Sequence, residues 1–370
     1  MDSIPQELID AIIDNVPQFY LLSCSLVAKR WRRKSQQRVL ATISFSSERK
    51  VKCWCTDIPQ DSDGISSYVR HVTIKRIHSW TEPALFSRLL RSLSSLKALS
   101  MYGIEFPDEF PGHISCGEFG KGITTLDLRS LCCRLPTLTS MTLSLPNLKK
   151  LRIEHYGTIP ERPLPTYPVT PERGPLDLLE LLGQVDEIGE ALTESRLTSR
   201  HLSLDVRFTN MGRLLSLSSE TAVELKLCGA WSLWILRRAE IMMTDLPDTS
   251  TNGIPTLINI PPLPALTTLV VGLHVYTPSP RLTRILCSID SAPALSSVAI
   301  EYNWKRVRRL CPRALWVDVD RWLSRISKQT KVTGGLSLTL IRWPEGKSVW
   351  EGFLPEFRES GGQIEVDNSV

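Results

Sequence analysis

At 370 residues, 42% hydrophobic and 22% charged, the chain has the composition of an ordinary soluble globular protein, with room for one extended domain or two compact ones. Its net charge of +5 is mild, and no run approaches the roughly 18 apolar residues of a membrane-spanning helix. The opening Met1-Asp2-Ser3-Ile4-Pro5 lacks the basic head of a secretory leader and no Asn-x-Ser/Thr acceptor occurs, which predicts a cytoplasmic or nuclear address.

The first 45 residues read as a small helical domain. Ile4 and Pro5 lead into Leu8, Ile9, Ile12, Ile13 and Val16; Leu22, Leu26 and Val27 follow, then Trp31. Pro5 suits a first helical turn, and Glu7 favours the positive end of the helix dipole. Leu8, Ile12 and Val16 fall four apart on one stripe, with Ile9 and Ile13 beside it. A segment of about 40 residues rarely builds a self-sufficient core. Either the rest of the chain or another protein must cover these side chains.

From residue 65 to 370 a repeat dominates, of the form apolar-x-x-apolar-x-apolar, which predicts strands with alternate residues on one side. It occurs at Val69/Val72/Ile74, Leu96/Leu99/Met101, Ile123/Leu126/Leu128, Leu148/Leu151/Ile153, Leu202/Leu204, Ala222/Leu225/Leu227, Leu266/Leu269/Val271 and Leu295/Val298/Ile300, with Leu336/Leu338/Leu340 a weaker ninth. The middle positions of the first eight (72, 99, 126, 151, 202, 225, 269, 298) are separated by 27, 27, 25, 51, 23, 44 and 29 residues. Steps near 25 are in the leucine-rich range. The 51 predicts a repeat without a strand signature, and the 44 an insertion.

Helix-like stretches at 83–90, 176–182, 234–242, 282–289 and 315–326 carry apolar residues three and four apart. Short turns such as Leu145-Pro146-Asn147-Leu148 and Ala292-Pro293-Ala294-Leu295 lead on into strands. The fold class predicted is α/β: a solenoid with a curved parallel sheet. A doubly wound sheet also alternates strand and helix, but its Gly-rich first turn is missing. Ser100, Asp127, Arg152, Ser203, Lys226, Val270 and Ala299 are predicted to face solvent on the inner sheet, where a target protein could bind. Proline-rich stretches near 157–175 and 245–264 read as exposed loops.

Chemistry is hard to find. Six histidines are scattered with no nucleophile motif beside them, and residues 115–122 lack the first glycine and closing Ser/Thr of a phosphate loop. Asp318 and Asp320 read as a solvent-facing pair on a helix. Nine cysteines, an odd and scattered set, read as reduced thiols; Cys53 and Cys55 have no second pair at zinc spacing. No catalytic residue, metal or cofactor is predicted. Two basic clusters, at 29–34 and 305–309, could meet an acidic partner or nucleic acid; no nucleic-acid-binding motif accompanies them, which favours a solvated face.

The run Ile4-Pro5-Gln6-Glu7-Leu8-Ile9-x-x-Ile12-Ile13-x-x-Val16-Pro17-x-x-x-Leu21-Leu22-x-x-Ser25-Leu26-Val27-x-x-x-Trp31 resembles an F-box, matching its spacing without gaps. Tyr20 stands where the family usually carries Asp, a helix-capping residue that contributes about 1 kcal/mol. With its repeats, the whole chain looks like the F-box/leucine-rich-repeat proteins of mushroom-forming fungi. The resemblance implies a three-helix F-box that docks on a Skp-type adaptor, and through it a cullin, by Ile4, Pro5, Leu8, Ile9, Ile12, Ile13, Val16, Leu22, Leu26, Val27 and Trp31. It implies a non-catalytic ubiquitin-ligase subunit whose repeats hold an unknown protein target, with neither membrane nor nucleic acid as partner.

Overall fold

A computed structural model of the chain describes residues 4–57, 64–77, 80–82, 84–104, 120–130, 138, 141–142, 144–155, 174–183, 186–205, 211–228, 260–273, 280–302, 316–330, 335–342 and 347–367. It is a mixed α/β protein with helices at its N-terminus, and it divides into two compact units, Met1–Thr166 and Tyr167–Val370.

The first unit opens with α1 (Gln6–Asn15), α2 (Leu21–Val27) and α3 (Lys29–Leu40). The Pro5 carbonyl accepts the N–H groups of Leu8 and Ile9, at 3.2 and 3.3 Å, and starts α1. Pro17 then forces Val16 into extended backbone and stops it. Ile9, Ile13 and Leu21 form a small buried core, with Ile4, Val16, Trp31 and Val39 packed around it. Each of the three fully buried side chains stabilises the segment by about 1.5–3 kcal/mol before ordering costs. Polar groups lock α1 onto α3. Arg38 donates to the carbonyl oxygens of Ile13, which also accepts the Val16 N–H, and of Val16 just past the end of α1, and Lys34 pairs with Asp14 at 3.0 Å.

Next come β1 (Thr42–Phe45), α4 (Glu48–Asp57), β2 (His71–Lys75), α5 (Ala84–Ser92), β3 (Ala98–Tyr102), β4 (Thr125–Arg129) and β5 (Lys150–His155). Neighbours pair in parallel and in chain order, so Val72, Leu99, Leu126 and Leu151 stand in one row and Ile74, Met101, Leu128 and Ile153 in the next. All eight are buried.

The strand junctions repeat as well. The N–H groups of Lys97 and Ala98 share the Arg70 carbonyl, those of Thr124 and Thr125 share that of Lys97, and those of Lys149 and Lys150 share that of Thr124. At the far ends Arg76, Gly103 and Ser130 all take positive φ and donate to a carbonyl at the end of the following strand, those of Tyr102, Arg129 and Glu154, at 2.8, 2.9 and 2.7 Å. Only glycine adopts that backbone freely, so Arg76 and Ser130 sit there at a cost of roughly 1–2 kcal/mol each.

In the second unit β6 (Leu176–Gly183), α6 (Asp186–Glu194), β7 (Ser199–Asp205), α7 (Met211–Ser218), β8 (Glu224–Cys228), β9 (Thr268–Leu273), α8 (Pro280–Ser288), β10 (Ser297–Tyr302), α9 (Val317–Gln329), β11 (Ser337–Ile341), α10 (Lys347–Phe353), α11 (Pro355–Glu359) and β12 (Gln363–Asp367) follow the same rule. One apolar row runs Leu179, Leu202, Leu225, Leu269, Val298, Leu338 and Ile364. Helix residues such as Leu214, Leu215, Ile285 and Leu323 complete the core. At the C-terminal end Trp316 and Trp350 meet edge to face, with ring centroids 4.9 Å apart.

Strands stand at all nine repeat positions of the sequence, and three more accompany them among the described residues. Residues 176–182, expected to be helical, form β6: Leu178, Leu181 and Leu182 offer helical spacing, but Leu176, Leu179 and Leu181 follow the strand template, and pairing of Leu179 with Leu202 fills the 51-residue gap. β12 has Gly361 where the template asks for a large apolar residue, whereas β1 fits it at Leu40, Ile43 and Phe45 but is not among the nine; β1 with α4 carries the strand-and-helix pattern upstream of residue 65. Asp320 is a further correction. Only 3% exposed, it accepts the N–H groups of Glu356 (3.1 Å) and Phe357 (2.8 Å) and so caps α11, whereas Asp318 faces solvent. The stretch 234–242 and the greater part of both proline-rich loops lie outside the described residues.

Candidate partner-binding surfaces

The helical segment cannot hide all its apolar area. α1 carries two adjacent stripes, and α3 can cover only one of them. Ile9 and Ile13 turn inward, while Leu8 and Ile12 stay exposed, at 56% and 46%. On α2, Leu21 is buried and Leu22, Leu26 and Val27 are exposed, Leu26 to 82%. The 3-10 turn Gln18–Tyr20 adds two exposed rings, Phe19 and Tyr20, with centroids 4.0 Å apart. Seven large apolar or aromatic side chains therefore face outward from a stretch of 20 residues, 8–27. Exposed apolar side chains at this density mark an interaction surface.

Of the eleven residues the sequence assigns to a partner, Ile9 and Ile13 are corrected: they form the segment's own core and are out of a partner's reach. Ile4, Val16 and Trp31 are half-buried against that core, while Pro5, Leu8, Ile12, Leu22, Leu26 and Val27 are exposed. Phe19 was not among the candidates. Its signal was available, as an aromatic in a polar turn with no helical stripe to join. Tyr20 makes no side-chain cap for α2; the preceding 3-10 turn runs into the helix instead, with the Leu21 N–H donating to the Gln18 carbonyl.

α3 has a different character. Its first turn holds Lys29, Arg30 and Arg32 with no acidic residue, and its N-cap Ala28 offers no side-chain acceptor. Cations at the positive end of a helix dipole typically cost 0.3–1 kcal/mol each when exposed, roughly, so local stability does not select them. α3 also packs on the 3-10 turn Ile65–Tyr68 and on β1.

The polar side of the sheet offers a second surface in each unit. In the first, Asp127 is the hub: Arg129 approaches it at 2.9 and 2.7 Å, the Tyr102 hydroxyl donates to it at 3.0 Å, and Arg152 lies 3.9 Å away. Arg152 also bonds Glu154 at 3.3 Å, and the Arg129 guanidinium lies 5.0 Å above the Tyr102 ring. The hydrogen bond to Asp127 holds the Arg129 guanidinium more firmly protonated than usual, and burial followed by the Asp127 bond pushes the Tyr102 phenol up. In the second unit Lys226 reaches across β9 to Glu301 at 3.0 Å, which also pairs with Arg342 at 3.3 Å. Burial works against the Lys226 ammonium, but the Glu301 carboxylate outweighs it and raises the pKa.

These networks correct the expected inner-sheet residues. Ser100 and Ser203, expected at the solvent, are each 5% exposed, and Ala299 is buried too. Short side chains sink beneath longer neighbours: the Ser100 hydroxyl lies 2.9 Å from His71 Nε2, and that of Ser203 lies 3.6 Å from Cys228 Sγ. Asp127, Arg152 and Lys226 are half-buried and already engaged within the chain. Cys53 is exposed and Cys55 buried on α4, so the two thiols do not converge. Among the described residues no group of three or more His, Cys, Asp or Glu could hold a metal ion. The basic cluster at 305–309 lies outside the described residues.

A comparison with protein-family models matches residues 1–40 to the F-box domain. A search of curated proteins finds no match to the chain.

Proposed function

With an F-box at residues 1–40, we propose that this protein is a non-catalytic substrate-recognition subunit of an SCF-type ubiquitin ligase. F-box domains generally bind Skp-type adaptors. The observation that carries the proposal is the outward apolar face of Leu8, Ile12, Phe19, Tyr20, Leu22, Leu26 and Val27. Each large side chain covered there could contribute about 1.5–3 kcal/mol before the cost of association.

The two strand-and-helix units are then a leucine-rich-repeat-like solenoid, and the polar sides of its sheet hold a target protein. The contribution to ubiquitin transfer is tethering: holding target lysines near the charged conjugating enzyme raises their effective concentration to the millimolar range, roughly, for short flexible connections. No residue of this chain need touch the reacting atoms.

The test is co-purification. Leu8→Asp/Ile12→Asp places two carboxylates in the face and should abolish recovery of the Skp-type adaptor, while far-UV circular dichroism and the unfolding midpoint stay close to wild type because both positions are exposed. Adaptor recovered undiminished from the double variant overturns the assignment. A second reading, a protein-interaction scaffold outside any ligase with the F-box as N-terminal cap, draws on the packing of α3 against β1. It predicts that neither adaptor nor cullin accompanies the purified protein.

A further inference from the structure

The cations of α3 divide into two groups by what they touch. Arg38 serves the α1 carbonyls, Lys34 pairs with Asp14, and Arg30 bonds Gln6 at 3.3 Å. Lys29, Arg32 and Arg33 are exposed and have no partner among the described residues. They follow closely on Leu26, the most exposed side chain of the apolar face, and Val27, with Ala28 alone between Val27 and Lys29. Lys29 and Arg32 also sit in the uncapped first turn of the helix, where their charge opposes the dipole. Neither internal pairing nor helix stability accounts for three cations there. An apolar centre with charge at its edge is the usual anatomy of a protein interface.

We infer that Lys29, Arg32 and Arg33 form a cationic rim to the apolar face of α1 and α2, fitted to a protein partner whose matching edge is acidic. The inference rests on the adaptor reading above and gives that partner its surface chemistry. Rim charges act chiefly on the rate of encounter and its salt dependence, whereas the apolar centre governs dissociation. The alternative occupant of such a cluster, a polyanion such as nucleic acid or an anionic membrane, would need only the charges and not the apolar face.

The experiment measures association of the full chain with a purified Skp-type adaptor by stopped-flow or surface plasmon resonance across a salt series. Wild-type association is expected to slow about tenfold between about 0.05 and 0.5 M NaCl. Lys29→Glu/Arg32→Glu/Arg33→Glu should lower the low-salt rate about tenfold and abolish the salt slope, with dissociation changed by less than about twofold. The neutral Lys29→Gln/Arg32→Gln/Arg33→Gln variant, which adds no new repulsion, should lose about threefold. Its behaviour decides the matter if charge reversal disturbs folding. A salt-independent rate, or a neutral variant that associates like wild type, overturns the rim and leaves the adaptor reading standing. Failure of the wild type to bind adaptor at any salt overturns both. Loss of binding to duplex DNA or to phosphatidylserine vesicles, with adaptor association untouched, overturns the rim in favour of a polyanion.

Discussion

The N-terminal helices and the strand units handle the same kind of side chain in opposite ways. In the sheet, Leu126, Leu128, Leu225 and Leu227 are wholly buried, because each row of leucines is covered by the rows beside it and by the flanking helices. In α1 and α2, Leu8, Ile12, Leu22 and Leu26 have no next copy to lean on and remain in solvent. Repetition lets a chain bury nearly every leucine it carries, whereas three short helices bury only one stripe each. Excess leucine in a repeat is therefore stability, and excess leucine in a short bundle is binding surface.

That contrast can be broken by experiment. Leu126→Ala or Leu225→Ala should cost about 2–5 kcal/mol, read as a drop in the urea midpoint, because both side chains leave cavities between adjacent rows. The matching truncation Leu26→Ala should stay within about 0.5 kcal/mol of wild type. Equal losses at the two sites would erase the distinction. Gly362→Ala comes next in size: a Cβ there would strike the Phe357 ring, an overpacking cost of about 1–3 kcal/mol measured by the same unfolding curve. Asp320→Ala should cost a similar or slightly smaller amount, about 1–3 kcal/mol, by stripping two N–H groups of α11 of their acceptor.

The smallest effect sharpens the comparison through pH. The Glu48 carboxylate on α4 accepts both the N–H (3.1 Å) and the hydroxyl (2.8 Å) of Thr81 and the N–H of Glu82 (2.9 Å), just before α5. Partial burial acts to raise its pKa, but those hydrogen bonds prevail and lower it from the ordinary 4.5. Its stabilising contribution is present above about pH 4.5, the unfolded value, and is lost as pH falls through the lower folded value. Wild type should therefore exceed Glu48→Gln in stability at neutral pH, with the gap closing as the solution is acidified below pH 4.5. A gap that widens on acidification would reverse the sign and refute the capping role.

Legibility followed the same divide. The strand rows could be read because each contributes its own apolar triplet, repeated at a pitch near 25, and every triplet found coincides with a strand. β6 was misread because Leu178, Leu181 and Leu182 recur three and four apart while Leu176, Leu179 and Leu181 fit the strand template, and its neighbour across the ladder decides between them. In the helical segment the apolar residues were plain, but their direction was not. Ile9 and Leu8 are adjacent on the helix, and the position of α3, fixed by Arg38 and Lys34 from 20 or more residues away, selects which stripe goes inside. The inner-sheet serines were misjudged for a related reason. Alternation tells which side a residue points to, while depth depends on how long its neighbours are.

The in-register ladder has one more consequence. Leu225 pairs with Leu269 as squarely as Leu202 pairs with Leu225, although 44 residues separate the first pair and only 23 the second. Doubling the length of a flexible connection costs only about 0.6 kcal/mol in closure entropy. Lengthening the chain between two rungs thus leaves the rungs themselves undisturbed. A protein built this way can acquire or discard whole peptide stretches between strands without renegotiating its core, so new specificities can be grafted on while the architecture beneath them stays fixed.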